Sequence, residues 1–159
     1  MEIFTVREAR LDEQRELTRL CIQATMHAGH DEAFIDRTMP ALTITVPLIS
    51  AKFVQVAEDG AGKTVGVVAV TPTSLQGIAQ LHGLYVDPTN WKRGVGRVLF
   101  GAAIVRAKLM KAGALFITAE PTAEGFYERM GAIRIGEGPF YFSPETILPS
   151  LLYVIPSKA

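Results

Sequence analysis

The stretch from Leu81 to Phe100 constrains this chain more than any other. Leu81-His82-Gly83-Leu84-Tyr85-Val86 reads as a buried strand closed by Asp87-Pro88. A basic glycine loop follows, Trp91-Lys92-Arg93-Gly94-Val95-Gly96-Arg97, and then the first turn of a long helix. Such a junction points several backbone N–H groups and a helix N-terminus at one spot, which makes an anion site. Lys92, Arg93 and Arg97 stand at the positive end of the helix dipole, where cations are unfavourable unless an anion lies nearby. A phosphate-bearing ligand is the simplest explanation.

Around this junction the patterning predicts a β-α-α-β-β-β-α-β-α-β-β order. Ile3 to Val6 is a short strand, and Asp12 is placed to cap a helix running to about His27, with Leu17, Leu20, Cys21 and Ala24 on one face. Asp31 to Arg37 reads as a short helix ended by Pro40, and Pro47 disfavours a regular element in the next segment. Lys52 to Ala57 and Thr64 to Val70 form a hairpin around Glu58-Asp59-Gly60-Ala61-Gly62, and Gln80 to Val86 is the third strand of a meander. A helix from about Gly94 to Ala112 ends at Gly113, Ala114 to Ala119 is a buried strand, and Thr122 caps a helix to Met130. Ile133, Ile135 and Leu151 to Ile155 suggest a terminal strand pair. One parallel-type crossover after an antiparallel meander implies a mixed, mainly antiparallel sheet in an α+β domain, with residues 1–159 as one unit.

Composition narrows the partners. Sixteen basic and sixteen acidic side chains cancel, which argues against a dedicated nucleic-acid binder. From Pro88 to Ala119 there are six cations and no acid, whereas the first 36 residues are acid-rich. A local cationic field in a neutral chain suits a small anionic ligand, although Arg106, Lys108 and Lys111 read as a solvated helix face. The lone Cys21 excludes an intrachain disulfide, and His27 and His30 have no carboxylate spaced with them for a metal site. The N-terminus lacks the order of a signal peptide, and no apolar run approaches the roughly 18 residues of a membrane span. The expectation is a cytoplasmic protein with no metal, no membrane and no nucleic acid.

Two phosphate-loop families fit poorly. In a dinucleotide fingerprint the third glycine would fall on Leu99, and the preceding meander is the wrong topology. No Gly-Lys-Ser/Thr follows the glycines, so a Walker-type loop is absent. The pattern instead resembles the acyl-CoA-binding core of the GNAT superfamily of N-acetyltransferases, in which a bulged strand leads into Gln/Arg-x-x-Gly-x-Gly/Ala and a helix. Gly94 and Gly96 match, while Trp91 stands where that family has Gln or Arg. A second segment, Pro121 to Ala132 with Phe126-Tyr127 and Gly131, resembles the family's Ala-x-x-Phe-Tyr-x-x-x-Gly-Phe, with Ala132 in place of the final Phe.

The resemblance implies acetyl-CoA as co-substrate and a primary amine, on a small molecule or a peptide, as acceptor. It implies that Lys92, Arg93, Gly94, Val95, Gly96 and Arg97 bind pyrophosphate. It also implies that the backbone of Leu84, Tyr85 and Val86 orients the pantetheine arm, and that Tyr127 protonates the departing thiolate. A phenol, with a reference pKa near 10, is protonated at pH 7 and can serve. The family's usual strand Glu corresponds to Gln80, which takes no proton. His82, two residues on, falls on the same face by strand periodicity. The base is open between His82, Glu120 and water. A non-catalytic acyl-CoA sensor of the same fold, an interaction module pairing through its terminal strands, and a homodimer are the other expectations.

Overall fold

The computed structural model describes residues 2–140 and 143–157. Its strands are β1 (Thr5–Glu8), β2 (Val54–Glu58), β3 (Thr64–Pro72), β4 (Ile78–Val86), β5 (Ala114–Thr118), β6 (Ile133–Phe140) and β7 (Ser143–Val154). Its helices are α1 (Gln14–His27), α2 (Glu32–Leu42), α3 (Val46–Ser50), α4 (Val95–Leu109) and α5 (Glu124–Arg129). The strands form one seven-stranded sheet in the order β1-β2-β3-β4-β5-β7-β6. All neighbours are antiparallel except β4 and β5. This is the mixed, mainly antiparallel α+β architecture that the patterning predicts.

Thr64 to Val70 is buried throughout, because helices cover both faces of β3, which explains a continuous apolar run rather than an alternating one. Val68 and Val70 face α4 in a cluster with Leu99, Phe100 and Ala103. Val67 and Ala69 face α1 and α2 in a second cluster with Leu17, Cys21 and Ile35. Burying each large apolar side chain in these layers stabilises the fold by roughly 1.5–3 kcal/mol before ordering costs.

Four local expectations need correction. Pro40 does not end α2 but lies inside its last turn, where it forfeits one backbone donor near an end that frays in any case. Pro47, expected to disfavour structure, opens the added helix α3 at a position that needs no N–H, and Thr45 caps it. The left-handed residue that terminates α4 is Lys111 (φ 62°), not Gly113. The Lys111 and Ala112 N–H groups bond the carbonyls of Lys108 and Ala107, a paired closure that tolerates a side chain at some conformational cost. Finally, Asp12 and Thr122 are not caps. Each lies in a short 3-10 turn preceding a helix, with Glu120 accepting the Thr122 N–H.

The neighbouring Glu13 precedes α1 without a side-chain cap bond to it and anchors the segment in another way. Its carboxylate is 4% exposed and accepts the Arg10 N–H at 2.7 Å and two Arg7 guanidinium bonds at 2.9 and 2.8 Å. Arg7 also reaches Glu58 at 2.9 Å, so this network ties α1 to the β1–β2 edge. The Arg7 bonds hold the Glu13 carboxyl below its ordinary value, outweighing burial. A depressed folded value means stability present above the unfolded value of 4.5 and lost as pH falls through the folded one. Glu13→Gln is therefore expected to cost about 1–2 kcal/mol near neutrality, allowing for the partial exposure of Arg7, with the difference shrinking in acid. Urea midpoints of both proteins across the acid range check this, and a difference that does not change with pH would contradict it.

Candidate active site

Two features of β4 open a cleft. Its parallel pairing with β5 ends at Leu81 opposite Ile117, yet β4 runs on to Val86 while β5 stops at Thr118. On its other edge, Ala69 faces Gly83 but Val70 faces Leu81, so His82 is the extra residue of a β-bulge. The bulge reverses the alternation. Ala79 and Leu81 face the α4 layer before it, and Leu84 and Val86 face that layer after it.

Tyr85 is thereby turned onto the α1–α2 side, beside the second cluster. Gly83 makes room for it, since a Cβ there would lie 2.7 Å from the Tyr85 ring. The alternation that would carry Gln80 and His82 to one face is broken at the bulge. His82 lines the cleft and Gln80 does not.

Hydrogen-bond register shows which backbone groups look into the opening. The Asp87 N–H bonds the Val65 carbonyl, which makes Gly66–Val86 a pair whose own N–H and C=O groups point away from each other. Two residues back, Leu84 is in the same phase. Leu84 and Val86 therefore direct backbone groups to the side that β5 has vacated, whereas the backbone of Tyr85 is directed to β3. Of these groups the Val86 carbonyl already accepts the Trp91 indole N–H at 2.8 Å, and Trp91 is steadied edge-on by His27.

The loop beyond β4 forms an anion cradle. Lys92 (φ 64°) and Gly94 (φ 89°) are both left-handed, which curls the chain so that successive N–H groups face inward. Helix α4 starts from Gly94 with no capping side chain and no acid in its first turn. The N–H groups of Val95, Gly96 and Arg97 consequently have no intrahelical acceptor. Lys92, Gly94, Val95, Gly96 and Arg97 all line the cleft. Arg93 is the exception among the predicted binding residues. Its guanidinium is bonded to the buried Asn90 at 2.8 Å and to the Glu2 carboxylate, away from the lining. Gly96 has a packing reason as well, since a Cβ would stand 3.1 Å from the Phe126 ring of α5.

Across the opening, Tyr127 is 6% exposed and lines the same cleft of about 800 Å³. Burial, and then the charge of Glu120, raise its phenol above the ordinary value, so it holds its proton. His82 shifts the other way, because burial lowers its imidazole and leaves it neutral near pH 7. Tyr85 also keeps its proton, chiefly through burial. Glu120 follows β5 and accepts a bond from His30 Nε2 at 2.6 Å. His30 is the residue that sequence reasoning missed, since its partner is 90 positions away and no local spacing relates them. Among the described residues no cluster of three or more metal-binding side chains is placed to hold an ion. No helix among them is long and apolar enough to cross a membrane.

The fold recurs in solved structures. Nourseothricin acetyltransferase is 24% identical with a TM-score of 0.58 over 65% of each chain, so this chain spans about two thirds of that one. The PaiA N-acetyltransferase of Thermoplasma acidophilum, in complex with coenzyme A, is 12% identical with a TM-score of 0.73, covering 96% of this chain and 99% of that one. A GNAT family acetyltransferase of Brucella melitensis, in complex with acetyl-CoA, is 16% identical with a TM-score of 0.67, covering 100% and 92%. No curated protein matches the sequence. The sequence profile of the acetyltransferase (GNAT) domain matches residues 50–131, more than half of the chain and the part that holds β4, the glycine loop and Tyr127. The chain belongs to the GNAT family of acetyltransferases.

Proposed function

We propose that this chain transfers the acetyl group of acetyl-CoA to a primary amine, the amine attacking the thioester directly while both are bound. The observation that carries the reading is one continuous cleft where β4 and β5 part. An anion cradle opens at one end, and a protonated phenol and a neutral imidazole line the same space. Coenzyme A has the matching chemistry, since its pantetheine arm carries a pyrophosphate at one end and a thiol at the other.

The fit to the residues is direct. Backbone N–H groups of Val95, Gly96 and Arg97, with the charges of Lys92 and Arg97, hold the pyrophosphate. Backbone groups of Leu84 and Val86 pair with the amide-bearing arm as a further strand would, and this fixes the position of the thioester. His82 takes the first proton from the ammonium, freeing the nitrogen lone pair to attack the carbonyl carbon. Tyr127 gives its proton to the sulfur as the carbon–sulfur bond breaks, and it regains one from the acetylated nitrogen. The proton on His82 then leaves to solvent.

The test is calorimetric titration with acetyl-CoA. The expected Kd is of order micromolar. Lys92→Ala combined with Arg97→Ala should weaken it about 10-fold or more, since each removes a charged partner of phosphate from an exposed position. Trp91, the one tryptophan of the chain, lines the cleft and gives a second readout through its emission. A folded protein that binds no acetyl-CoA would overturn the proposal.

A further inference from the structure

The cleft is chemically divided. Lys92 and Arg97 mark the cradle end, while α1 and α2 wall the other end with Ala24, Thr25, Phe34, Thr38, Ala41 and Leu42. Glu120 is the only carboxylate among the described lining residues. Its two oxygens differ. Oε1 accepts His30 Nε2 at 2.6 Å, the Thr122 N–H at 3.4 Å and the Thr122 hydroxyl, whereas Oε2 has no hydrogen-bond partner among the described residues.

The carboxylate is held in that orientation from a distant part of the chain. Asp31 caps α2 by accepting the Phe34 N–H at 2.8 Å. This sets Phe34 in the first turn, where its ring stacks on His30 at 4.0 Å and 17°. Both members of the His30–Glu120 pair are mostly shielded, with side chains 20% and 27% exposed.

We propose that Glu120 Oε2 is the docking point for the acceptor's ammonium group, and that the acceptor is a singly charged amine with an apolar body. This rests on the acetyltransferase reading above. His30 is a positioning residue that saturates Oε1 and leaves Oε2 directed to the ligand. An ammonium there gains a charge-assisted bond in a partly dry cleft, and its body packs on the α1–α2 wall. An acceptor carboxylate would add a second negative charge beside Glu120. Of the other charged lining residues, Lys92 and Arg97 serve the pyrophosphate, and Arg129, which folds back along α5 toward Gly125, would repel a second cation. The site thus selects against amino acids and polyamines.

The experiment is calorimetric titration with phenethylamine, phenylalanine and spermidine, run on the full chain alone and with CoA. Phenethylamine is expected to bind about 10-fold or more tightly than either competitor. Glu120→Gln should abolish that preference, and so should Glu120→Asp, which keeps the charge but withdraws it. In turnover, His30→Gln should raise KM for the amine several-fold with kcat and CoA affinity unchanged, a split that a purely structural role would not produce. Equal or tighter binding of phenylalanine or spermidine, a preference that survives in Glu120→Gln, or no binding of any probe would overturn the assignment. Loss of CoA binding with the amine preference intact would count against the acetyltransferase reading alone.

Discussion

Tyr127→Phe is expected to lower kcat by roughly 100- to 10,000-fold, the range for losing a positioned acid, while leaving acetyl-CoA affinity unchanged. The substitution keeps the ring, which packs against Phe126 at 5.2 Å and Phe100 at 6.1 Å between centroids, and deletes only the hydroxyl. Folding should therefore be little affected. Without the phenol, the thiolate must leave unprotonated or wait for water, and the collapse of the reacting centre favours return to substrates. The wild type carries a further signature. Burial and Glu120 hold the phenol protonated above its ordinary range, so the alkaline limb of kcat should lie above about pH 10. The imidazole of His82, lowered by burial, should place the acid limb below its ordinary 6.5. Steady-state thiol release, with calorimetry on the same variant, checks both halves. Full activity in Tyr127→Phe would remove this residue from the mechanism.

Gly66→Ala is expected to destabilise the protein by about 2–3 kcal/mol, at the upper end for an overpacked core, and to lower the melting temperature by roughly 5–10 °C. A Cβ at Gly66 would stand 2.7 Å from Leu99 Cδ1, 3.0 Å from Val95 Cγ1 and 3.2 Å from the Tyr85 carbonyl oxygen. The backbone oxygen cannot move without disturbing the bulged strand, and the two side chains belong to the first turns of α4. Relief would therefore come from lifting the helix that carries the cradle, so acetyl-CoA affinity should fall along with stability. Gly60→Ala is the control, because nothing lies within 4 Å of its Cβ position. Calorimetric melting of the two variants decides the matter. Equal melting temperatures would show that α4 does not need this close approach.

Gly66 also illustrates where reading the chain stops. The run Val65-Gly66-Val67-Val68 announces a strand buried on both sides, but nothing in its spacing tells that the glycine is the contact point for Leu99, 33 positions later. The same limit applies to Lys111, which takes the left-handed place at the end of α4 although a glycine stands two residues on. Local propensity favours Gly113 there. The choice was made by where the helix must stop for β5 to pair with β4 and β7.

Local chemistry determined most of the cradle end of the cleft. A glycine loop between an apolar strand and a helix makes an anion cradle wherever it folds, because the uncapped N–H groups and the dipole are properties of the segment itself. Gly94, Gly96, Val95, Lys92 and Arg97 are candidates for that reason, whereas Tyr127 is a candidate only through the resemblance of Pro121 to Ala132 to a family segment. Tertiary structure decided what depends on contacts between remote segments. It turned Arg93 onto Asn90 and Glu2, inserted His82 as the bulge that puts Tyr85 on the α1–α2 side, and brought His30 to Glu120. Those outcomes follow from register and packing, where one added residue in a strand reverses every side chain beyond it, and no spacing along the chain encodes a meeting between positions 30 and 120.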